Sequence, residues 1–178
     1  KRGLTIKAGG SKYDFVSGLQ VGIANLGNSL AAIKKLVFEE RRISQAELAE
    51  QLAQNFAGIE GEKTRQLLLN YAPKYGNDDN YVDMLLREAY MDYIHELQQY
   101  HTTRYGRGPI GCHYYAGTSS ISANVPSGAV VPATPDGRKA FTPLADGSSP
   151  SSGTDVCGPT AVFKSVAQQP TNKILRGV

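Results

Sequence analysis

The chain has 178 residues, which is long enough for one ordinary domain with a hydrophobic core. Its formal net charge of +3 is too small to indicate a nucleic-acid partner, although no Glu follows Tyr100 and the second half is the more basic. No apolar run approaches the roughly 18 to 20 residues that a membrane span requires. The composition therefore predicts a globular chain with no nucleic-acid partner and no membrane partner.

The two cysteines, Cys112 and Cys157, do not form a C-x-x-C pair or any other metal-ligand spacing. They predict neither a zinc site nor a disulfide scaffold, and they favour a reducing cytoplasm. The first residues, Lys1-Arg2-Gly3, lack an initiator methionine and do not resemble a signal peptide. We therefore expect the chain to begin inside a longer sequence.

The residue patterns divide the chain into a strand region (1–28), a helical block (29–100) and a region of strand and Gly/Pro-rich loops (101–178). Extended structure is predicted over 4–23 and 114–131, which are rich in Gly, Ser, Val and Ile. Helices placed between such strands are typical of an α/β fold with buried parallel strands.

Within the helical block, the first helix is predicted to start near Asn28 or Ser29, and the third to cover about 62–71. The fourth is predicted to run from near Asp79 to about Gln99.

The second helix carries the clearest start signal. Ser44 and Glu47 have the spacing of a capping box, and Ile43 is placed to pack on Leu48. Leu48, Leu52 and Phe56 then share one face, which predicts a surface helix packed on a core.

Two further signals lie in the last third of the chain. Thr134-Pro135-Asp136-Gly137 has the composition of a tight turn, with Pro at its second position and Gly at its fourth. Gly158-Pro159 predicts a helix start, because Pro is well suited to the first helical position.

No motif by itself declares an activity. Cys112 and His113 are adjacent, so on a strand they face opposite sides and do not form a nucleophile and base pair; packing roles are the expectation for both cysteines. The glycine-rich stretches match no phosphate-loop pattern. Asp136 and Arg138 are expected to make turn hydrogen bonds or buried loop ion pairs.

Longer stretches of the sequence resemble one family in order along the whole chain. They are Gly9 to Phe15, Ser29 to Glu39, Ala72 to Asp78, and the series Ala133 to Arg138, Pro143 to Gly147 and Gly158 to Ala161. On these motifs the chain is identified as a member of the glycyl radical enzymes, the pyruvate formate-lyase-like superfamily, of which it covers a minority of the usual length. The resemblance implies an α/β fold, part of a β/α barrel made of two half-sheets wrapped by helices.

The resemblance also implies a glycyl radical on one loop and a thiyl-forming cysteine on another, and neither residue is in this chain. The family cysteine lies in a G-C-x-E pattern, whereas Gly111-Cys112 is followed by His113 and Tyr114. No catalytic residue is therefore assigned here. The family implies no bound cofactor, a radical installed by a separate S-adenosylmethionine-dependent iron–sulfur activating enzyme, and a homodimer of the full-length enzyme.

The stretch from Thr118 to Val125 resembles a family strand whose alternate side chains line the substrate cavity. We assign substrate binding to one alternating set together with Thr118 as a polar contact; the alternative is that these residues only pack the barrel. Glycerol-type dehydratases carry Tyr-Pro-Val at this place, whereas this chain has Ser119-Ser120-Ile121, which argues against glycerol itself. The predicted substrate-binding residues are Thr118, Ser119, Ile121 and Ala123.

These likenesses imply a radical dehydratase or lyase that acts on a small polar substrate, with hydroxyproline dehydratase-like relatives as the nearest type. Two alternatives remain open: formate C-acetyltransferase activity of the pyruvate formate-lyase type, and a non-catalytic binding or assembly module derived from such an enzyme.

Overall fold

The computed structural model describes residues 3–118 and 122–175. Two strands, β1 (Tyr13–Gln20) and β2 (Ile110–Thr118), pair in parallel. All the residues between them form the crossover, which is largely helical, as parallel pairing requires. The predicted α/β layout with parallel strands is confirmed.

The helices before β2 are α1 (Ile23–Ala32), α2 (Gln45–Ala53), α3 (Gly58–Asn70) and α4 (Asn80–Leu97), and those after it are α5 (Asn124–Gly128) and α6 (Pro159–Gln168). A π-helical segment, Ile33–Glu39, continues α1, and single 3₁₀ turns cover Ile6–Ala8 and Thr171–Lys173. None of the helices within the described residues is long and apolar enough to cross a membrane.

The strands differ from the prediction at their ends. Residues 4–23 contain one strand of eight residues, and Ile23 already belongs to α1. The strand predicted from 114 begins earlier, at Ile110, and ends at Thr118; residues 124–128 are helical. The prediction of extended structure up to Val131 was therefore wrong in its second half, because short Gly- and Ser-containing stretches are also compatible with a single helical turn.

The first helix begins at Ile23, about five residues before the predicted start. Gly22 precedes it with φ of 78°, a left-handed conformation that favours glycine. Two asparagines, Asn25 and Asn28, occupy inward positions of the first turns, so that the apolar spacing that marks a buried helix face is interrupted there.

The start signals of α2, α4 and α6 are confirmed, whereas α3 begins at Gly58, about four residues before its predicted start. The amide of Glu47 donates to Ser44 Oγ at 3.1 Å, and both Ile43 and Leu48 are buried. Asp79 caps α4 by accepting from the amide of Tyr81 at 2.9 Å, and Pro159 occupies the first position of α6. Phe56 is buried as predicted, but it lies beyond the end of α2.

The hydrophobic core of the described residues contains two apolar clusters. One joins α1, α4 and β2 and contains the i, i+4 ridge of α4. The other lies under α2 and α3, around Leu36, Phe56 and Leu68, and reaches Ala133 next to the predicted turn. The α4 ridge is formed by Val82, Leu86, Tyr90 and Ile94.

Candidate functional site

The predicted substrate wall begins at the end of β2. Thr118 is the last residue of the strand, is only 1% exposed, and stands opposite Gln20, the last residue of β1. Ser119 and Ile121 lie outside the described residues. The carboxyl ends of parallel strands are where α/β proteins usually place ligand groups, so Thr118 lies at the expected end of the sheet.

Ala123 differs from its predicted setting. It immediately precedes α5 and has a helical backbone, so it does not belong to an alternating strand. Asn124, the first residue of α5, accepts through its carbonyl oxygen from the amide of Leu144 at 3.2 Å. Its side-chain Oδ1 is buried and has no hydrogen-bond partner within the described residues. The substrate-binding role predicted for Ala123 therefore rests on its position just before α5, and the alternation of side chains along a strand does not support it.

The turn at 134–137 forms as predicted, with the amide of Gly137 donating to the carbonyl oxygen of Thr134 at 3.0 Å. Its carboxylate is buried: Asp136 Oδ1 accepts from Thr134 Oγ1 at 2.5 Å and from the amide of Arg138 at 3.2 Å. Asp136 Oδ2 accepts from Asn25 Nδ2 at 2.7 Å. The turn is thus tied to the first turn of α1.

Arg138 is a buried guanidinium that donates to the loop around it. Its Nη1 donates to the carbonyl oxygens of Lys139 and Thr142, at 3.0 and 2.7 Å, and its Nη2 to those of Val131 and Pro132. Burial lowers the pKa of Arg138 from its usual value. The prediction of turn hydrogen bonds is confirmed for this residue, since its side chain satisfies buried carbonyl groups that water does not reach.

Two asparagines of α1 complete the network, and sequence reasoning missed both. Asn25 Oδ1 accepts from the amide of Ala145 at 2.8 Å, and Asn28 Oδ1 accepts from the amide of Tyr75 at 2.7 Å. Both amide groups also donate to Ser151 Oγ, at 3.3 and 3.4 Å. Their spacing of three residues on the buried face of an otherwise apolar helix was the available signal.

A buried lysine, Lys74, approaches the same turn from the segment that follows α3. Lys74 Nζ donates to the carbonyl oxygens of Leu68, at 2.6 Å, and of Asp136, at 3.4 Å. Burial lowers the pKa of Lys74 to about 8, and the nearby charge of Asp136 acts in the opposite direction. The ammonium therefore serves as a cap on the last carbonyl groups of α3.

The two α1 asparagines, Asp136 and Arg138 line a cleft of about 580 Å³, which lies within the usual size range of small-molecule sites. It joins the α1 asparagines, the 134–138 turn and the start of α5, so that it adjoins the end of the predicted wall. Its polar lining includes Asn25, Asn28, Asn124, Asp136, Arg138 and Ser151.

Neither cysteine lies in a catalytic arrangement within the described residues. Cys112 is fully buried at a bulge of β2, and its Sγ lies 3.8 Å from Asp14 Oδ2. Arg104 donates to both oxygens of that carboxylate, which lowers the pKa of Asp14. Cys157 is exposed, so the packing role predicted for it was wrong. Among the described residues, no group of three or more His, Cys, Asp and Glu side chains is arranged to hold a metal ion.

Comparison with known proteins extends this picture over the whole chain. It is 67% identical over 178 residues to a protein described as probable dehydratase YbiW of Escherichia coli strain K12, covering 100% of this chain and 22% of that protein. It is 45% identical over 148 residues to an isethionate sulfite-lyase of Oleidesulfovibrio alaskensis, covering 82% of this chain and 16% of the other. The chain therefore spans about a fifth of the length of these relatives.

Solved structures show the same fold. A structure from Roseburia inulinivorans, described for 1,2-propanediol dehydration, superposes with a TM-score of 0.87 at 43% identity over 99% of this chain and 22% of the other. The hydroxyproline dehydratase of Clostridioides difficile superposes with a TM-score of 0.81 at 34% identity, over 93% of this chain and 20% of the other. The predicted fold class is confirmed.

The family model described as pyruvate formate lyase-like matches residues 1–128, which include both strands and all four helices between them. The matched residues therefore contain the paired parallel strands and the helical crossover between them. The chain is a member of the pyruvate formate lyase-like family, and it corresponds to a part of the larger glycyl radical enzymes.

Proposed function

We propose that this chain forms part of the substrate-cavity wall and the supporting helices of a glycyl radical dehydratase. The observation that carries the proposal is the 67% identity to a probable dehydratase along all 178 residues, with Thr118 buried at the carboxyl end of β2. In this proposal residues 29–100 support the wall, and the loops after β2 close the space behind it.

The chemistry belongs to the complete polypeptide. In the complete polypeptide, a thiyl group outside these 178 residues takes a hydrogen atom from a carbon of a small polar substrate, and water leaves from the neighbouring carbon. The product radical then takes the hydrogen atom back from the thiol, which restores the thiyl group. Residues of this chain bind and orient the substrate: Thr118 offers a hydroxyl group, and Ser119, Ile121 and Ala123 supply further wall. The radical is placed by a separate activating enzyme, the complete enzyme acts as a homodimer, and its location is the cytoplasm.

The relatives point to two classes of bond cleavage. Two of the similar proteins are described by dehydration, of 1,2-propanediol and of hydroxyproline, whereas the sulfite-lyase acts on isethionate. Cleavage of a carbon–sulfur bond with release of sulfite is therefore the second candidate function. Ser119-Ser120-Ile121, in place of Tyr-Pro-Val, favours a substrate other than glycerol.

The test is turnover by the complete polypeptide after anaerobic activation. The panel contains trans-4-hydroxy-L-proline, 1,2-propanediol, glycerol, isethionate, and pyruvate with coenzyme A, and products are followed by mass spectrometry. Loss of water from a hydroxylated compound supports the proposal. Release of sulfite alone would support the second candidate, and turnover of pyruvate alone would overturn both. Air-exposed enzyme is the control, because oxygen destroys a glycyl radical.

A further inference from the structure

The predicted wall has a described residue at each end, Thr118 and Asn124, and each of the two makes a backbone contact with another part of the chain. At the first end Thr118 stands opposite Gln20 in the β1–β2 ladder. At the other end the carbonyl oxygen of Asn124 accepts from the amide of Leu144. The position of Thr118 relative to Asn124 therefore depends on how the end of β1 is placed relative to residues 144–145.

The start of α1 connects the end of β1 to residues 144–145 through one backbone contact and one side chain, that of Asn25. The amide of Gly22, two residues after β1, donates to the carbonyl oxygen of Ala145 at 3.0 Å. The amide of Ala145 donates to Asn25 Oδ1 at 2.8 Å, so that the start of α1 and residues 144–145 are connected by two hydrogen bonds. A side chain at Gly22 would meet Asn25 Oδ1 and Leu144 at 3.2 Å, which shows how closely the segments pack.

The nitrogen of the same Asn25 amide group links the start of α1 to the buried turn at 134–137. Asn25 Nδ2 donates to Asp136 Oδ2 at 2.7 Å, and Asp136 is itself held by Thr134 and by the Arg138 amide. An amide side chain matches both partners, because its oxygen must accept from Ala145 while its nitrogen donates to a carboxylate. Asn25 is 94% buried, so that a mismatch there is not relieved by water.

We propose that Asn25 is a positioning residue for the substrate wall: without touching substrate, it sets how Thr118, at the end of β2, stands relative to Asn124, at the start of α5. The proposal rests on the function proposed above. A remote change that displaces a reacting group by about 1 Å can cost an enzyme about a hundredfold in rate, so loss of the Asn25 side chain, which leaves only the Gly22 hydrogen bond at this connection, is expected to impair turnover.

Reversing the polarity of this contact tests the proposal. Asn25→Asp places two carboxylates about 2.7 Å apart, where both cannot remain ionised. In the activated complete enzyme we expect kcat/KM at pH 8 to fall at least tenfold, with the radical signal unchanged, and to recover as the pH falls towards 6 and one proton is shared by the pair. The charged groups facing the pair are Arg138 from the turn, Lys74 from the segment after α3, and Asp146 across the cleft.

The double variant Asn25→Asp with Asp136→Asn tests whether the loss in the single variant comes from this hydrogen bond. It keeps one charge and one amide but exchanges their places, so that the hydrogen bond forms in the opposite direction. We expect it to restore kcat/KM at pH 8 to within about threefold of the parent, whereas Asn25→Ala stays impaired at every pH. Asn70→Asp, an exposed change of the same type on α3, is the control.

Hydrogen exchange of the peptide over 115–128 supplies a readout that needs no turnover. We expect faster exchange at pH 8 in Asn25→Asp and parental exchange in the double variant. Parental exchange and parental kcat/KM in Asn25→Asp would overturn the proposal, and so would a loss that neither acid nor the double variant reverses. If no panel compound reacts, the proposed function fails, while the exchange result still decides the role of Asn25.

Discussion

Asp83 is a carboxyl group with no exposed surface between α4 and α6. Ser165 Oγ donates to its Oδ2 at 2.7 Å, whereas Oδ1 is buried without a partner within the described residues. Burial raises the pKa of Asp83 to about 6; the hydrogen bond from Ser165 opposes this shift, and the charges of Asp79 and Asp78 add to it. The residue therefore costs stability when it is ionised.

The direction of the pH dependence follows from that pKa. Since the folded-state pKa is above the usual 3.8, the folded chain keeps a proton that the unfolded chain releases. The stability contributed by this proton is complete below pH 3.8 and is lost as pH rises through about 6. Above that range the penalty approaches about 3 kcal/mol, at about 1.4 kcal/mol for each pKa unit.

Asp83→Asn is accordingly expected to stabilise the α4–α6 contact at pH 8, by about 2–3 kcal/mol, and roughly half as much at pH 5. The measurement is hydrogen exchange of the α4 and α6 peptides in the complete polypeptide, compared with the parent at each pH. Asp92→Asn, an exposed change on the same helix, is the control. Slower exchange in the parent than in the Asp83 variant at pH 8 would contradict this assignment.

At the level of single residues, the sequence identified what local chemistry determines. The turn at Asp136 and the loop hydrogen bonds of Arg138 followed from residue type and spacing. The partners of Asp136 did not, because Asn25 lies 111 residues away in the chain and is brought to it only by packing. The packing role predicted for Cys157 was wrong for a similar reason, because the burial of a side chain depends on neighbours that are distant in sequence.

Among the secondary-structure elements, α2 gives the simplest test of capping. Ser44 accepts from the Glu47 amide, and an oxygen at this position satisfies a backbone donor that otherwise lacks a partner. Ser44→Ala is expected to cost about 1 kcal/mol, while Ser44→Asp retains the cap. Hydrogen exchange of the 44–53 peptide should be about fivefold faster in the alanine variant. Equal exchange in both variants would mean that packing of Leu48 alone holds the helix.

The contact between β1 and α4 gives a second test. A Cβ atom at Gly18 would stand 2.6 Å from the hydroxyl of Tyr93 and 3.3 Å from Leu97 Cδ1. Gly18→Ala is therefore expected to destabilise the protein by about 1–3 kcal/mol through overpacking. Because the closest atom is the hydroxyl oxygen, adding Tyr93→Phe should recover most of the lost melting temperature. If the double variant melts no higher than Gly18→Ala, the clash is elsewhere.

The elements that were predicted well carry local start signals, such as the caps of α2 and α4. The three helices that were misplaced, α1, α3 and α5, have no side-chain cap. The start of α1 uses inward asparagines, and α5 is a single turn after a strand, with five residues that also suit extended structure. Tertiary contacts, including Leu144 on Asn124, select the helical turn there.

For the whole molecule, the sheet itself indicates that more structure completes it. Two paired strands are marginal in isolation, and their edges leave backbone groups open for further strands. Several large apolar side chains on the two strands remain exposed in this chain. They are Tyr13, Phe15, Leu19 and Ile110. A barrel with additional strands would cover such faces, as the family assignment implies.

The most direct test of the account is the intact mass of the native polypeptide that contains this sequence. Because the chain spans 22% of a relative that matches all of it, we expect a mass about four to five times 19.2 kDa, with the radical-carrying residues elsewhere in the same polypeptide. A native mass near 19.2 kDa would contradict the account, since these 178 residues contain no G-C-x-E cysteine for radical chemistry, and it would leave a binding or assembly module as the function.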